Sequence, residues 1–270
     1  MRNSGLPEPP GPQDPQLRDD PLERAVWRLR SRACWEDAAA LLAPHAAADP
    51  GAARRRTAVL IERCMFTGQG WAAAEDALRS AEALAAGDED RGAAACERGH
   101  LAYAATVLGV HDRADEARSA LGRAAALLAP SSPTRPLLDF RRGLIAQHLS
   151  DNPSDATAAF QRAHSGAGTH GNRLLLSFTW RHLAALAEHD GRLAEARHGY
   201  TQSLGIREEL GYLVGIAPAL VSLASVLAEP AEADRLRREA RRLIRLLGGV
   251  PSWLEERLAP AERAPVTGTR

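Results

Sequence analysis

The groups in this sequence best able to grip another molecule are its arginines. All 34 basic residues are arginine and none is lysine, which excludes a phosphate-loop lysine, a Schiff-base lysine and a lysine general base together. A guanidinium is planar and permanently charged, and its fork binds a carboxylate or phosphate through two parallel hydrogen bonds. Six such forks crowd one stretch, at Arg235, Arg237, Arg238, Arg241, Arg242 and Arg245. That density could neutralise several phosphates of a nucleic acid, with affinity falling steeply as salt rises. Glu232, Asp234 and Glu239 stand at helix-neighbour spacing and offset part of the charge, so the stretch reads equally as a solvated helix face.

Other motifs carry less chemistry. Gly166, Gly168 and Gly171 match the letters of a GxGxxG dinucleotide loop. That loop works where a strand delivers the glycines to a helix N-terminus. Here a helix precedes them, so the segment reads as a helix-to-helix connector with Asn172 capping the next helix. Cys96 and His100, four apart on one helix, make half of a tetrahedral zinc set without a second pair nearby. The nine histidines show neither HxH nor HExxH spacing, so no metal is expected, and no cofactor. No serine sits at a strand-to-helix elbow and no cysteine has an evident histidine partner, so the chain is expected not to be an enzyme.

The elements that position these groups must be helices. Across 270 residues about one in five is alanine and leucine comes next, while valine, isoleucine and threonine are sparse. That is helix-forming material and poor strand material, so an all-α fold is expected. A formal net charge of zero argues against holding nucleic acid or an anionic membrane through the overall field. No apolar run approaches the roughly 20 residues needed to span a bilayer. Prolines occupy the N-terminal stretch where a secretory signal would need apolar residues, so a cytoplasmic location is expected. There Cys34, Cys64 and Cys96 read as small buried residues. Residues 1–20, with Pro7, Pro9, Pro10, Pro12 and Pro15, are expected to form a disordered tail, residues 21–258 one helical repeat domain, and residues 259–270 a second tail.

Within that domain the sequence repeats. From Phe178, Trp180, Leu183, Ala184 and Ala187 fall on one face of a helix; after Asp190 and Gly191, Ala196, Tyr200, Ser203 and Leu204 fall on one face of another. Two helices joined by a short glycine turn form an antiparallel hairpin. Earlier units repeat a small residue followed four positions later by a larger one: Ala156 with Phe160, Ala117 with Leu121, Ala74 with Leu78, and Ala38 with Leu42. A last unit, Leu213 to Leu247, restarts its second helix at Pro230 and buries Leu236, Ala240, Leu243 and Leu247, while Pro44 shortens the second helix of the first. Stacked hairpins bury a continuous core that none could bury alone, with alanines allowing close helix approach.

Trp180, Leu183, Ala184, Ala196 and Tyr200, with Ser203 at the next small position, resemble the tetratricopeptide repeat (TPR). The likeness covers about Pro21 to Leu258; the fourth unit departs from it in carrying Gly143 and Leu144 where the repeat has leucine and then a small residue. The longer period, and phrases similar to the run from Leu204 to Leu243, resemble the sensor regions of large ATP-dependent bacterial transcription activators. The resemblance implies a right-handed α-solenoid of about six TPR-like hairpins acting as a protein-binding or effector-sensing module, without an activator's phosphate-binding loop or helix-turn-helix.

In TPR proteins the first helix of each hairpin lines the concave groove. With Trp180 and Ala184 on the buried face, the resemblance aims Arg181, His182 and Glu188 into that groove, beside Arg141, Arg142 and His148 of the preceding unit and Tyr103 of the one before. Two adjacent units then offer arginines to one cavity, which suits an acidic peptide or protein segment; alternatively these arginines pair with Glu188 or solvate the wall. The carboxylate-clamp subtype uses lysine and asparagine at these places, so chaperone-tail binding is not implied. The resulting expectation is a non-catalytic adaptor or regulatory protein that binds a protein or peptide segment in its concave groove; the alternative is a nucleic-acid-associated regulator using the Arg-rich helix, with an all-α enzyme ranked last.

Overall fold

The computed structural model describes residues 20–248 together with Leu254 and Leu258, so the expected tails lie outside the described residues except for Asp20. The described elements are twelve α-helices: α1 (Pro21–Arg30), α2 (Trp35–Ala46), α3 (Pro50–Thr67), α4 (Trp71–Leu84), α5 (Asp88–Val107), α6 (Ala114–Leu127), α7 (Arg135–His148), α8 (Pro153–Thr169), α9 (Arg173–His189), α10 (Leu193–Glu209), α11 (Leu213–Ser225) and α12 (Pro230–Leu247). Their ends are written locally. Pro21, Pro50, Pro136, Pro153 and Pro230 sit in first turns, where a missing N–H costs nothing. Asp20, Asp49, Asn152 and Asn172 accept backbone N–H bonds as N-caps. Gly166 and Gly168 lie inside α8, while Gly171 takes the left-handed turn (φ 64°) before the Asn172 cap, so GAGTHG is the end of one helix and the connector to the next. Pro44 falls within α2, two residues before its end.

Consecutive helices pair into six hairpins, and each pair of small and large residues read from the sequence lies at a hairpin core. Ala38, Ala74, Ala117, Ala156 and Ala196 are completely buried, and Leu42, Leu78, Leu121, Phe160 and Tyr200 are at most 2% exposed. The alanine excess therefore follows from packing: a methyl group at the crossing lets two backbones approach, and the larger neighbour fills the space beside it. Gly143, the departure from the repeat pattern, has the same cause. A Cβ there would lie 2.5 Å from the Phe160 ring, so α7 gives up a side chain to seat a phenyl group contributed by α8. Gly99 on α5 does this for Leu121 on α6, with 2.4 Å to a hypothetical Cβ.

Units two and three are also tied by charge. Arg98 on α5 reaches Glu82 on α4 and Glu116 on α6, while Arg113 reaches Glu75 and Glu116, so two guanidinium groups share three carboxylates across successive hairpins. The hydrogen bonds from Arg113 and Arg98 hold the Glu116 carboxyl below its ordinary pKa.

The stack curls until its first hairpin meets the turn between α10 and α11. Trp27 donates its indole N–H to the Leu210 carbonyl at 3.3 Å across 183 residues of chain, and its ring stacks on Tyr212 at 5.7 Å. The Val214 N–H donates to the Ser31 carbonyl at 3.1 Å. Tyr212 donates its hydroxyl to Glu62 on α3 at 2.7 Å, and Arg30 of α1 pairs with the same carboxylate.

Candidate functional site

The odd-numbered helices α5, α7 and α9 bring most of the expected groove residues together, but with the outermost members alone open to solvent. The Tyr103 hydroxyl on α5 lies 2.6 Å from Nδ1 of His148 on α7. The His148 ring meets His182 of α9 edge-on at 5.9 Å. His182 is held from two sides, by Gln147 Oε1 at 2.9 Å from its Nδ1 and by Arg181 Nη1 at 3.2 Å from its Nε2. Because a guanidinium can only donate, Nε2 must accept, Nδ1 carries the proton, and His182 is the neutral Nδ1–H tautomer. Burial is the main reason that this imidazole stays neutral far below its usual pKa, with Arg181, His148 and Arg207 adding repulsion. His148 keeps an exposed edge, yet partial burial of its ring, reinforced by Arg181, draws its pKa down to about 4. Burial also pushes the Tyr103 phenol upward.

Arg141 corrects the expected groove. It is 5% exposed, donates from Nη2 to Glu97 at 2.7 Å and from Nη1 to the Cys96 sulfur at 3.0 Å, and so is an internal counter-ion turned away from solvent. Tyr103 and His182 are likewise buried and serve as supports. Arg142 is exposed but stands one residue round the helix from Arg141, about 100° away, and does not share its direction. Glu188 accepts the Tyr200 hydroxyl at 2.6 Å and is half-buried. Of the residues expected in the groove, His148 and Arg181 are the two that both join the cluster and reach solvent.

The Arg-rich helix α12 is half self-neutralised. Arg235 pairs with Glu232, Arg237 with Asp234 and Arg242 with Glu239, each at i,i+3, and Arg241 donates to the Leu258 carbonyl. Arg238 and Arg245 are exposed on the same helix. Cys96 and His100 face interior protein, and among the described residues no group of His, Cys, Asp and Glu could hold a metal ion. A cleft of about 520 Å³ between the first and last hairpins is lined by Trp35, Phe66, Val214, Ile244 and Leu247, with Arg63 and Glu36 paired at its wall.

Sequence reasoning missed Glu97, Glu62, Arg30, Arg207 and Tyr212. Each gains its role from a partner tens to 150 residues away, as in the Tyr212–Glu62 bond, and no local spacing announces such a pairing.

No protein-family model matches the chain, and no curated protein matches it. Among solved structures it is similar to BtubC (BKLC) from P. vanneervenii, at 18% identity over 93% of this chain and all of that one, with a TM-score of 0.52. It is also similar to a Podosopora anserina chain of nearly identical TPR-like repeats described as kinesin light chain, at 17% identity over 87% of this chain and 99% of that one, with a TM-score of 0.37. The fold is that of a TPR-like α-solenoid. No described helix is long and apolar enough to cross a membrane.

Proposed function

We propose that this chain is a non-catalytic adaptor or regulatory protein that binds a segment of a partner protein at the rim of its inner face. The observation that supports this reading is the pair His148 and Arg181, accessible on successive first helices and held from behind by Tyr103, Gln147 and His182. A guanidinium fixed in place loses little entropy on binding, and beside a neutral imidazole that can donate one further hydrogen bond it suits an acidic segment. Such a role fits a cytoplasmic regulator and the similarity to activator sensor regions.

The test is charge reversal at the rim. Arg181→Glu is expected to weaken capture of acidic segments from a peptide array by tenfold or more, with thermal stability within about 1 kcal/mol of wild type, as for a half-buried surface position. Equal capture by wild type and variant removes the rim from the interface. The nucleic-acid reading comes second, because three of the six α12 arginines are already paired with acids. A gel shift at low salt with a log–log salt slope of about −2 or steeper restores it.

A further inference from the structure

Among the described residues, one buried cation has no anion. The charged side chains buried in the described residues are Glu62, Glu97, Asp139, Arg141 and Arg207. The three acids are all matched: Glu62 by Arg30, Glu97 by Arg141, and Asp139 by Arg162 at 3.4 Å. Arg207, 3% exposed, forms no ion pair among the described residues. Its Nε donates to Ser177 Oγ at 3.3 Å and its Nη1 to the Gly215 carbonyl at 2.7 Å. The guanidinium lies over the Phe178 ring, 5.2 Å from its centroid. These are neutral acceptors and a quadrupole, so they satisfy two of five N–H groups and leave the unit charge uncompensated.

An isolated charge taken out of water costs several kcal/mol, and proteins meet that cost by pairing it or by binding a counter-ion. No described acid pairs with it, and the nearby cation makes matters worse, since Arg181 repels Arg207. Burial first, and that repulsion second, draw the Arg207 pKa down to about 9. The backbone has also made way for this side chain: a Cβ at Gly215 would meet Arg207 Cδ at 3.2 Å and the Tyr212 ring at 2.3 Å, so the start of α11 is bare where Arg207 and Tyr212 pack.

We infer that Arg207 anchors a binding site for a small oxyanion, a carboxylate or phosphate group held by the unused side of its fork, with Arg181 as the second cationic wall. The inference rests on Arg207 and not on the partner reading, since oxyanion binding needs no partner protein. It also predicts a structural response. Arg207 holds the first turn of α11 through Gly215, three residues from Tyr212, the residue on which α1 docks. A ligand that binds only the closed arrangement stabilises it by mass action.

The experiment uses the full chain in chloride at constant ionic strength, with inorganic phosphate in one titration and acetate in another, read by thermal unfolding and by hydrogen exchange of α1 and α11. At least one oxyanion is expected to raise the melting temperature saturably over the chloride control and to slow exchange in both helices; which one does so distinguishes phosphate from carboxylate. Arg207→Gln is expected to weaken that binding at least tenfold, and Arg207→Lys, which keeps charge and loses the fork, by less. If Arg207→Gln does not fold, Arg181→Gln takes its place, with a severalfold loss expected. A wild-type protein that responds to neither anion beyond chloride overturns the inference, and so does unchanged binding in the Arg207→Gln protein, or in Arg181→Gln where that variant stands in for it.

Discussion

Replacing Arg141 with methionine should destabilise the protein strongly, although the position was first read as a solvent-facing groove residue. The substitution keeps length and apolar volume but strands Glu97, which is 2% exposed and loses a 2.7 Å charge-assisted bond. With charge centres about 4 Å apart and an effective dielectric of about 20, the lost attraction is about 4 kcal/mol. That agrees with the roughly 3–5 kcal/mol cost of breaking one side of a buried pair. For a chain of this size it corresponds to a melting temperature lower by roughly 6–20 °C, measured by far-ultraviolet circular dichroism. The double variant Arg141→Met with Glu97→Leu removes both charges and should return to within about 1.5 kcal/mol of wild type. A single variant that melts with wild type, or a double variant no better than the single, would refute an isolated internal pair.

Acid should weaken the fold before any carboxylate titrates. His182 is held neutral well below its usual pKa, facing Arg181, His148 and Arg207, so the unfolded chain takes up a proton near pH 6.5 that the native state refuses, and stability falls as pH drops below that value. His182→Gln should reduce the fall in urea midpoint between pH 7 and 5 without abolishing it, because His148, His100 and His164 are held below their ordinary pKa as well. The depressed Glu116 adds a second loss: its contribution is complete above the unfolded value of about 4.3 and disappears as pH falls below it, a step that Arg98→Ala should reduce, at a cost of about 1–3 kcal/mol near neutrality. Gly143→Ala should cost about 1–3 kcal/mol in chemical denaturation because its methyl group strikes the Phe160 ring. Tyr212→Phe removes the hydroxyl bonded to Glu62 and should raise hydrogen exchange in α1 by several-fold while α5 and α7 stay protected.

The sequence by itself determined the helices, their pairing into hairpins and the small-and-large seam at the core of the first five second helices. Those properties depend on proline and Asx caps, glycine turns and a 3.6-residue period, all of which act over a few residues, and the buried Ala–large pairs from Ala38 to Tyr200 follow directly. It also grouped Tyr103, His148, Arg181 and His182 on successive first helices, and these side chains do meet in one cluster. What only the tertiary structure decided is which of those groups meet water. Small rotations between successive hairpins accumulate until Trp27 reaches Leu210 across 183 residues, and that closure is a sum over all the units, absent from any one of them. It settled that Arg141 is a counter-ion for Glu97, 44 residues away, and that Arg207 is a buried cation without one among the described residues. Local periodicity specifies a direction on a helix; whether that direction ends in solvent or against another side chain is fixed by how far the whole stack curls.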